Sequence, residues 1–208
     1  MARDTTAVCR LCRREGEKLY LKGSRCETAK CAIVRRNFQP GVHPWSRGKP
    51  SEYGIRLREK QKVKRFYGVH DRQFERYFRL AQLMPGNTGE SLLVLLERRL
   101  DNVVFLLGLA PSRRAARQLV AHGHINVNGH RCHSPAALVE IGDVVNVRPK
   151  EKIQKITKAS LEDRKGRTLP PWLTFDEAQS AGRVVDTPKR EQVEMPIEEQ
   201  LIVELMSK

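Results

Sequence analysis

Cys9, Cys12, Cys26 and Cys31 are the residues of this chain with the clearest capacity for chemistry. They form two close pairs, C-x2-C and C-x4-C, separated by thirteen residues. Each pair can supply two thiolates from a tight turn, and the loop between them can bring the pairs together, which is the tetrahedral donor set that zinc demands. Four cysteines close the coordination shell and leave no position for water, so the metal expected here is one structural Zn2+ and not a catalytic one. An iron-sulfur cluster uses the same ligand type and stays open on sequence alone. A redox C-x-x-C belongs to a strand-helix setting, and no β-α-β pattern surrounds this one. Seven Lys or Arg lie within residues 9 to 31. Arg10, Arg13, Arg14, Arg25 and Lys30, beside the cysteines, are expected to favour the thiolate forms. Cys132 stands alone in a predicted strand and reads as core.

No catalytic set can be assembled from the rest of the chain. There is no Gly-rich phosphate loop and no Ser/His/Asp grouping. His122, His124, His130 and His133 fall in loop and strand, where contact with a polyanion or with solvent is the expected role. The chain is read as a non-enzyme with no small-molecule substrate.

Charge supplies the partner class. The 208 residues carry a formal net charge of +15, with 39% hydrophobic residues, enough for modest cores. Residues 1 to 80 hold 21 Lys or Arg against 8 Asp or Glu, whereas residues 81 to 208 hold 18 against 16. The N-terminal third therefore carries the polyanion footprint. Residues 91 to 110 are the greasiest stretch, but Glu97, Arg98, Arg99 and Asp101 interrupt it, so no membrane span is expected. The opening MARDTTAVC lacks the apolar core of a signal peptide, and a reducing, cytoplasmic compartment is expected.

The elements that position these residues follow from periodicity and punctuation. After a Pro/Gly-rich connector (39 to 50), Ser51 can cap a helix on which Tyr53, Val63, Phe66 and Tyr67 share an arc, with Arg56, Lys60 and Lys64 intruding into it. Arg58, Lys62 and Arg65 fill the other side, and a helix this basic all round has little internal reason to pack. Asp71 can cap the next helix, whose Phe74, Tyr77, Phe78 and Ala81 repeat at i, i+3, i+4, i+7 with Arg72, Arg76 and Arg79 opposite. Ser112 can cap a third, with Ala115, Ala116, Leu119 and Val120 inward, Arg113, Arg114 and Arg117 projecting together, and Gly123 as its stop. A strand in HINV then meets a type I′ turn at Asn128-Gly129, and IGDVVNV adds another strand. A zinc-containing DNA regulator would tie a recognition helix directly to the cysteine segment, whereas here that segment leads into the connector.

Residues 112 to 147 resemble the small RNA-binding module shared by the S-four ribosomal proteins, some pseudouridine synthases and bacterial tyrosyl-tRNA synthetases. The stretches EYGIRLREKQKVKRFYGVHDRQFERYF (52 to 78), GNTGESLLVLLERRLDNVVF (86 to 105) and PIEEQLIVELMSK (196 to 208) extend the resemblance to the bacterial small-subunit ribosomal proteins of the S-four family over essentially the whole chain. The pseudouridine synthases carry a catalytic aspartate in an Arg-Leu-Asp run similar to residues 99 to 101. In those enzymes the run lies in a separate domain, and Asp101, in a helix with Leu100, Val103, Val104 and Leu107 at core spacing, is expected to make a helix-surface ion pair or cap.

The fold expected is α+β. A mainly helical first domain comprises a zinc knuckle (1-45) and a basic helical part (46-96) completed by residues 187-208. A small helix/sheet RNA-binding module (97-160) follows, with an extension over 161-186. The resemblance implies a primary binder of small-subunit ribosomal RNA at a helix junction in its 5′ domain, nucleating assembly. It also implies a place near the messenger RNA entry channel, beside small-subunit proteins three and five, with an influence on translational accuracy. Binding by shape and phosphate contact is expected from Arg10, Arg13, Arg14 and Lys22 around the cysteines and from Arg47 and Lys49 in the connector. On the two basic helices the expected set is Tyr53, Arg56, Arg58, Lys60, Lys62, Lys64, Arg65, Arg72 and Arg76. On the module it is Arg113, Arg114, Arg117, Gln118, His124, Asn128 and Arg131.

Overall fold

The computed structural model describes residues 6–43, 48–49, 51–163, 168–176 and 179–207. In chain order the described helices are α1 (Val8–Glu15), α2 (Ala32–Arg35), α3 (Glu52–Tyr67), α4 (Asp71–Leu83), α5 (Thr88–Glu97), α6 (Leu100–Leu106), α7 (Arg113–Ala121), α8 (Glu151–Asp163) and α9 (Glu199–Met206). The strands are β1 (Ile125–Val127), β2 (His130–Cys132), β3 (Val144–Val147), β4 (Leu173–Asp176) and β5 (Ala181–Val184), so the class is α+β as expected. The chain divides into two units, residues 1–92 with 195–208 and residues 93–194.

In the first unit, Ser51 begins α3 by accepting a hydrogen bond from the Gly54 N–H at 3.1 Å. Gly68, at φ 65°, ends it, with the Val69 N–H reaching back to the Lys64 carbonyl at 2.9 Å. Val63, Phe66 and Tyr67 are buried, but Tyr53 is 63% exposed and leaves the arc on which the period placed it. Tyr53 lies on the first turn of the helix, where nothing among the described residues covers that face. On α4, Phe74, Tyr77, Phe78 and Ala81 are all 3% exposed or less, each large side chain contributing about 1.5–3 kcal/mol of burial. Asp71 is not the cap. His70 holds that position, and Asp71 is the first helical residue, its carboxylate drawn 2.7 Å from Lys64 Nζ instead of back to the helix backbone. Helix α9 packs along α3 and buries Ile202 completely, with Met195 and Ile197 leading into it.

The second unit is built on one antiparallel sheet in the order β2-β1-β3-β5-β4. The hairpin turn is type I′, since Asn128 (φ 52°) and Gly129 (φ 79°) both adopt positive φ. Its Asn128 side chain donates to Asp143 Oδ1 at 2.7 Å and accepts from the Val144 N–H at 2.9 Å, which fixes the turn against β3. One sheet face packs on α6 and α7 through Leu100, Val103, Val104, Leu107, Leu119, Val120, Ile125 and Val145, all in one core with Trp172. Strands β4 and β5, within the stretch read as an extension, were not foreseen. Gly182 of β5 sits so close that a Cβ there would lie 2.3 Å from Leu107 Cδ2, so the strand approaches α6 only because the residue is glycine. Helix α8, also unforeseen, is pinned by Ser160 Oγ donating to the Gly108 carbonyl at 2.8 Å.

Candidate nucleic-acid interface

The four paired cysteines converge. Cys9 and Cys12 lie three residues apart on α1, Cys26 ends a 3-10 turn (Gly23–Cys26), and Cys31 is the residue before α2. All four line a single cavity together with Lys22, Arg25, Ala32 and Ile33. Cys12, Cys26 and Cys31 are each only 8% exposed. Backbone hydrogen bonds from Leu19 to Cys12 and from Lys22 to Cys26 favour the thiolates. Burial is the larger effect and pushes both thiols up, with Lys22 the cation pulling Cys26 down. The flanking cations were expected to favour the thiolates, but at Cys12 and Cys26 burial outweighs them, and Arg13 donates to the Phe38 carbonyl at 2.9 Å and stacks 4.7 Å from its ring. Arg14 reaches Gln39 Oε1 at 3.2 Å. The four thiols share this cavity, but among the described residues no group of three or more His, Cys, Asp or Glu side chains is placed so that it could hold a metal ion.

The cations of α3, predicted as a free basic surface, find partners inside their own unit. Arg56 pairs with Glu204 at 2.7 Å and Glu52 at 3.1 Å. Lys62 pairs with Glu59 at 2.7 Å and Glu17 at 3.7 Å, and Lys64 with Asp71. Arg58 and Arg65 both converge on Glu15, whose side chain is 1% exposed. Burial pushes the Glu15 carboxyl up, while Arg65, then Arg58, Arg14 and Lys62, draw it down; Arg58 in turn is lowered, chiefly by its own burial. The helix thus has an internal reason to pack that its own sequence only partly displays: Glu52 and Glu59 are its own, but Glu15, Glu17, Asp71 and Glu204 come from other parts of the unit. Lys60 is half-buried. Arg10, Lys22, Lys49, Arg72 and Arg76 are exposed, and Arg47 lies outside the described residues.

On α7 the expected trio of arginines does not project as one. Ser112 caps the helix by accepting from the Ala115 N–H at 3.3 Å, and Gly123 (φ 65°) ends it, as predicted. Arg113, however, donates to Asn102 Oδ1 at 2.8 Å and lies 4.5 Å over the Phe105 ring. Arg117 reaches Asp101 Oδ2 at 3.1 Å. Asp101 also takes both Nε (3.0 Å) and a terminal nitrogen (2.6 Å) of Arg99, itself 1% exposed. The expectation of a helix-surface ion pair at Asp101 is corrected: the pair is buried, because α6 is enclosed on all sides. Both carboxylate oxygens of Asp101 are engaged by guanidinium groups within the fold, which accounts for the residue structurally. Arg114 is half-buried and Gln118 exposed. Arg131 folds back onto the Gly123 and His122 carbonyls at 3.1 and 3.3 Å. His124 is held below the ordinary histidine range by burial first, then by Lys150, His122, Arg131 and Arg148.

Comparison with known sequences agrees with this arrangement of two units. Residues 3–97 match the family described as ribosomal protein S4/S9 N-terminal domain, and residues 98–145 match the S4 domain. A protein of Acetivibrio thermocellus named small ribosomal subunit protein uS4 is 56% identical over 208 residues, the whole of both chains. Proteins of the same name from Halothermothrix orenii and Pelotomaculum thermopropionicum are 55% and 56% identical over the same span. The chain belongs to the uS4 family of ribosomal proteins. Within the chain the match to the S4 domain covers α6 and runs into β3, so β4 and β5 lie beyond it. Glu15 and Glu204, which organise the basic helix, gave no local signal, since their arginine partners lie 43 to 148 residues away.

Proposed function

We propose that the chain is a structural component of the small ribosomal subunit in the cytoplasm, where it binds small-subunit ribosomal RNA at a helix junction of the 5′ domain and nucleates assembly. The observation that supports this reading most directly is the correspondence, end to end, with proteins named for the small ribosomal subunit. Binding proceeds by shape and phosphate contact: exposed cations on both units meet backbone oxygens of a folded RNA. On the same reading the protein lies near the messenger RNA entry channel, adjoins small-subunit proteins three and five, and influences translational accuracy. Crosslinking in cells followed by sequencing of the attached RNA tests it. Small-subunit ribosomal RNA should dominate, and a signal dominated by any other RNA class overturns the assignment.

The four cysteines support a second element of the reading, one structural zinc ion held by Cys9, Cys12, Cys26 and Cys31. Zinc would supply the closure that keeps α1, the 3-10 turn and α2 in register, with no chemical step at the site. Native mass spectrometry should find one zinc per chain, lost in the Cys26→Ser/Cys31→Ser variant. Iron in its place, or no metal, rejects the assignment.

A further inference from the structure

Helices α3 and α4 of the first unit differ in what their cations touch. On α3, Arg56, Arg58, Lys62, Lys64 and Arg65 each face a carboxylate. On α4, Arg72, Arg76 and Arg79 are all exposed, and among the described residues none of them forms an ion pair. At 3.6 residues per turn the three fall within about 60° of one another and span about 10 Å along the helix axis. The rotation of α4 is fixed by the burial of Phe74, Tyr77, Phe78 and Ala81 on the other side, so the stripe cannot turn inward. Glu75, also exposed, flanks the stripe without pairing to it, and Leu83, 83% exposed, continues it toward the helix end.

We propose that the Arg72, Arg76 and Arg79 stripe of α4, rather than α3, is the surface with which the long helices of this unit grip the phosphate backbone of ribosomal RNA. The inference rests on the RNA-binding reading above. Guanidinium groups suit the task because each presents a planar fork to phosphate oxygens. Those of α4 can do so without surrendering a partner, whereas Arg56, Arg58, Lys62, Lys64 and Arg65 of α3 must each first leave a carboxylate. Arg79 joins the contact set through helical phase, and the cations of α3 become structural.

The test is the salt dependence of binding between the full chain and in vitro transcribed small-subunit ribosomal RNA. Each neutralised phosphate contributes about 0.7 to 0.9 to the slope of log affinity against log salt. The Arg72→Gln/Arg76→Gln/Arg79→Gln variant should therefore lose about 2 to 3 from that slope, with circular dichroism and thermal midpoint unchanged. Lys62→Gln/Lys64→Gln should keep the wild-type slope and melt earlier. A triple variant with the full wild-type slope overturns the inference while leaving RNA binding intact, and is the outcome if a protein neighbour covers α4 through Leu83. Equal slope losses in the α3 variant also overturn it. A flat slope in the wild type defeats the RNA-binding reading itself.

Discussion

Helices α3 and α4 follow one another with a three-residue break and are both rich in Lys and Arg, yet they use them in opposite ways. The cations of α3 gather Glu15 and Glu17 from the cysteine segment, Asp71 from α4 and Glu204 from α9, so that the helix acts as an electrostatic clasp for its unit. Those of α4 stand on the face opposite a continuous apolar stripe and meet solvent. Helix α7 repeats the first pattern in the second unit, with Arg113 and Arg117 bound to α6. Net charge alone therefore overstates a binding surface. What remains available to an external polyanion is the charge left after the protein's own acids have been satisfied.

This contrast can be broken most severely where the paired cations are most deeply buried. Asp101→Asn removes the carboxylate that pairs with buried Arg99 and with Arg117 and should cost about 3–5 kcal/mol by urea denaturation; a loss under 1 kcal/mol would show that the triad is not structural. Glu15→Ala should cost less, about 2–3 kcal/mol, because Arg58 is 37% exposed and can rehydrate. The loss should appear as an earlier thermal midpoint of the first unit, and an unchanged midpoint would remove Glu15 from the clasp. The smallest effect is expected at Asp71, 59% exposed, where Asn should cost only about 0.2–1 kcal/mol. Its sign with pH is defined. The hydrogen bond from Lys64 lowers the folded carboxyl value, so the stabilisation is present above the ordinary aspartate value and is lost as pH falls through the folded one. The stability gap between wild type and Asp71→Asn should close on acidification, and a gap that widens would contradict the pairing.

Local chemistry was legible in the sequence. Ser51 and Ser112 cap the helices they were expected to cap, Asn128-Gly129 makes the type I′ turn, and Phe74, Tyr77, Phe78 and Ala81 face inward. Each of these depends on neighbours within a few residues. Features with distant partners were not legible. Glu15 looks like any surface glutamate until α1 lies on α3, and Asp101 looks exposed until α7 supplies Arg117. Strands β4 and β5 are four residues each, too short for a clear alternation; β5 depends on pairing to β3 and on glycine at 182 for its approach to α6, and β4 pairs only with β5. Tyr53 shows the reverse failure, for helical phase assigns a face but not whether anything covers it. The cysteine spacing predicted convergence, and the four side chains do share one cavity; the cations around them were read as tuning the thiols, where burial proves the larger influence.

Helix α9 packs on the first unit although the whole second unit precedes it in the sequence, and Arg56 lies 148 residues before Glu204, one of its two partners. At a synthesis rate of about 5–20 residues per second, Arg56 precedes its partner by about 7–30 s. During that interval Arg56 has only Glu52 of its own helix to pair with, and the whole second unit is made in between. Vectorial synthesis thus gives the two units different histories: residues 93–194 contain all the elements of their own unit, whereas α3 gains its α9 seam only after residues 199–206 have been made.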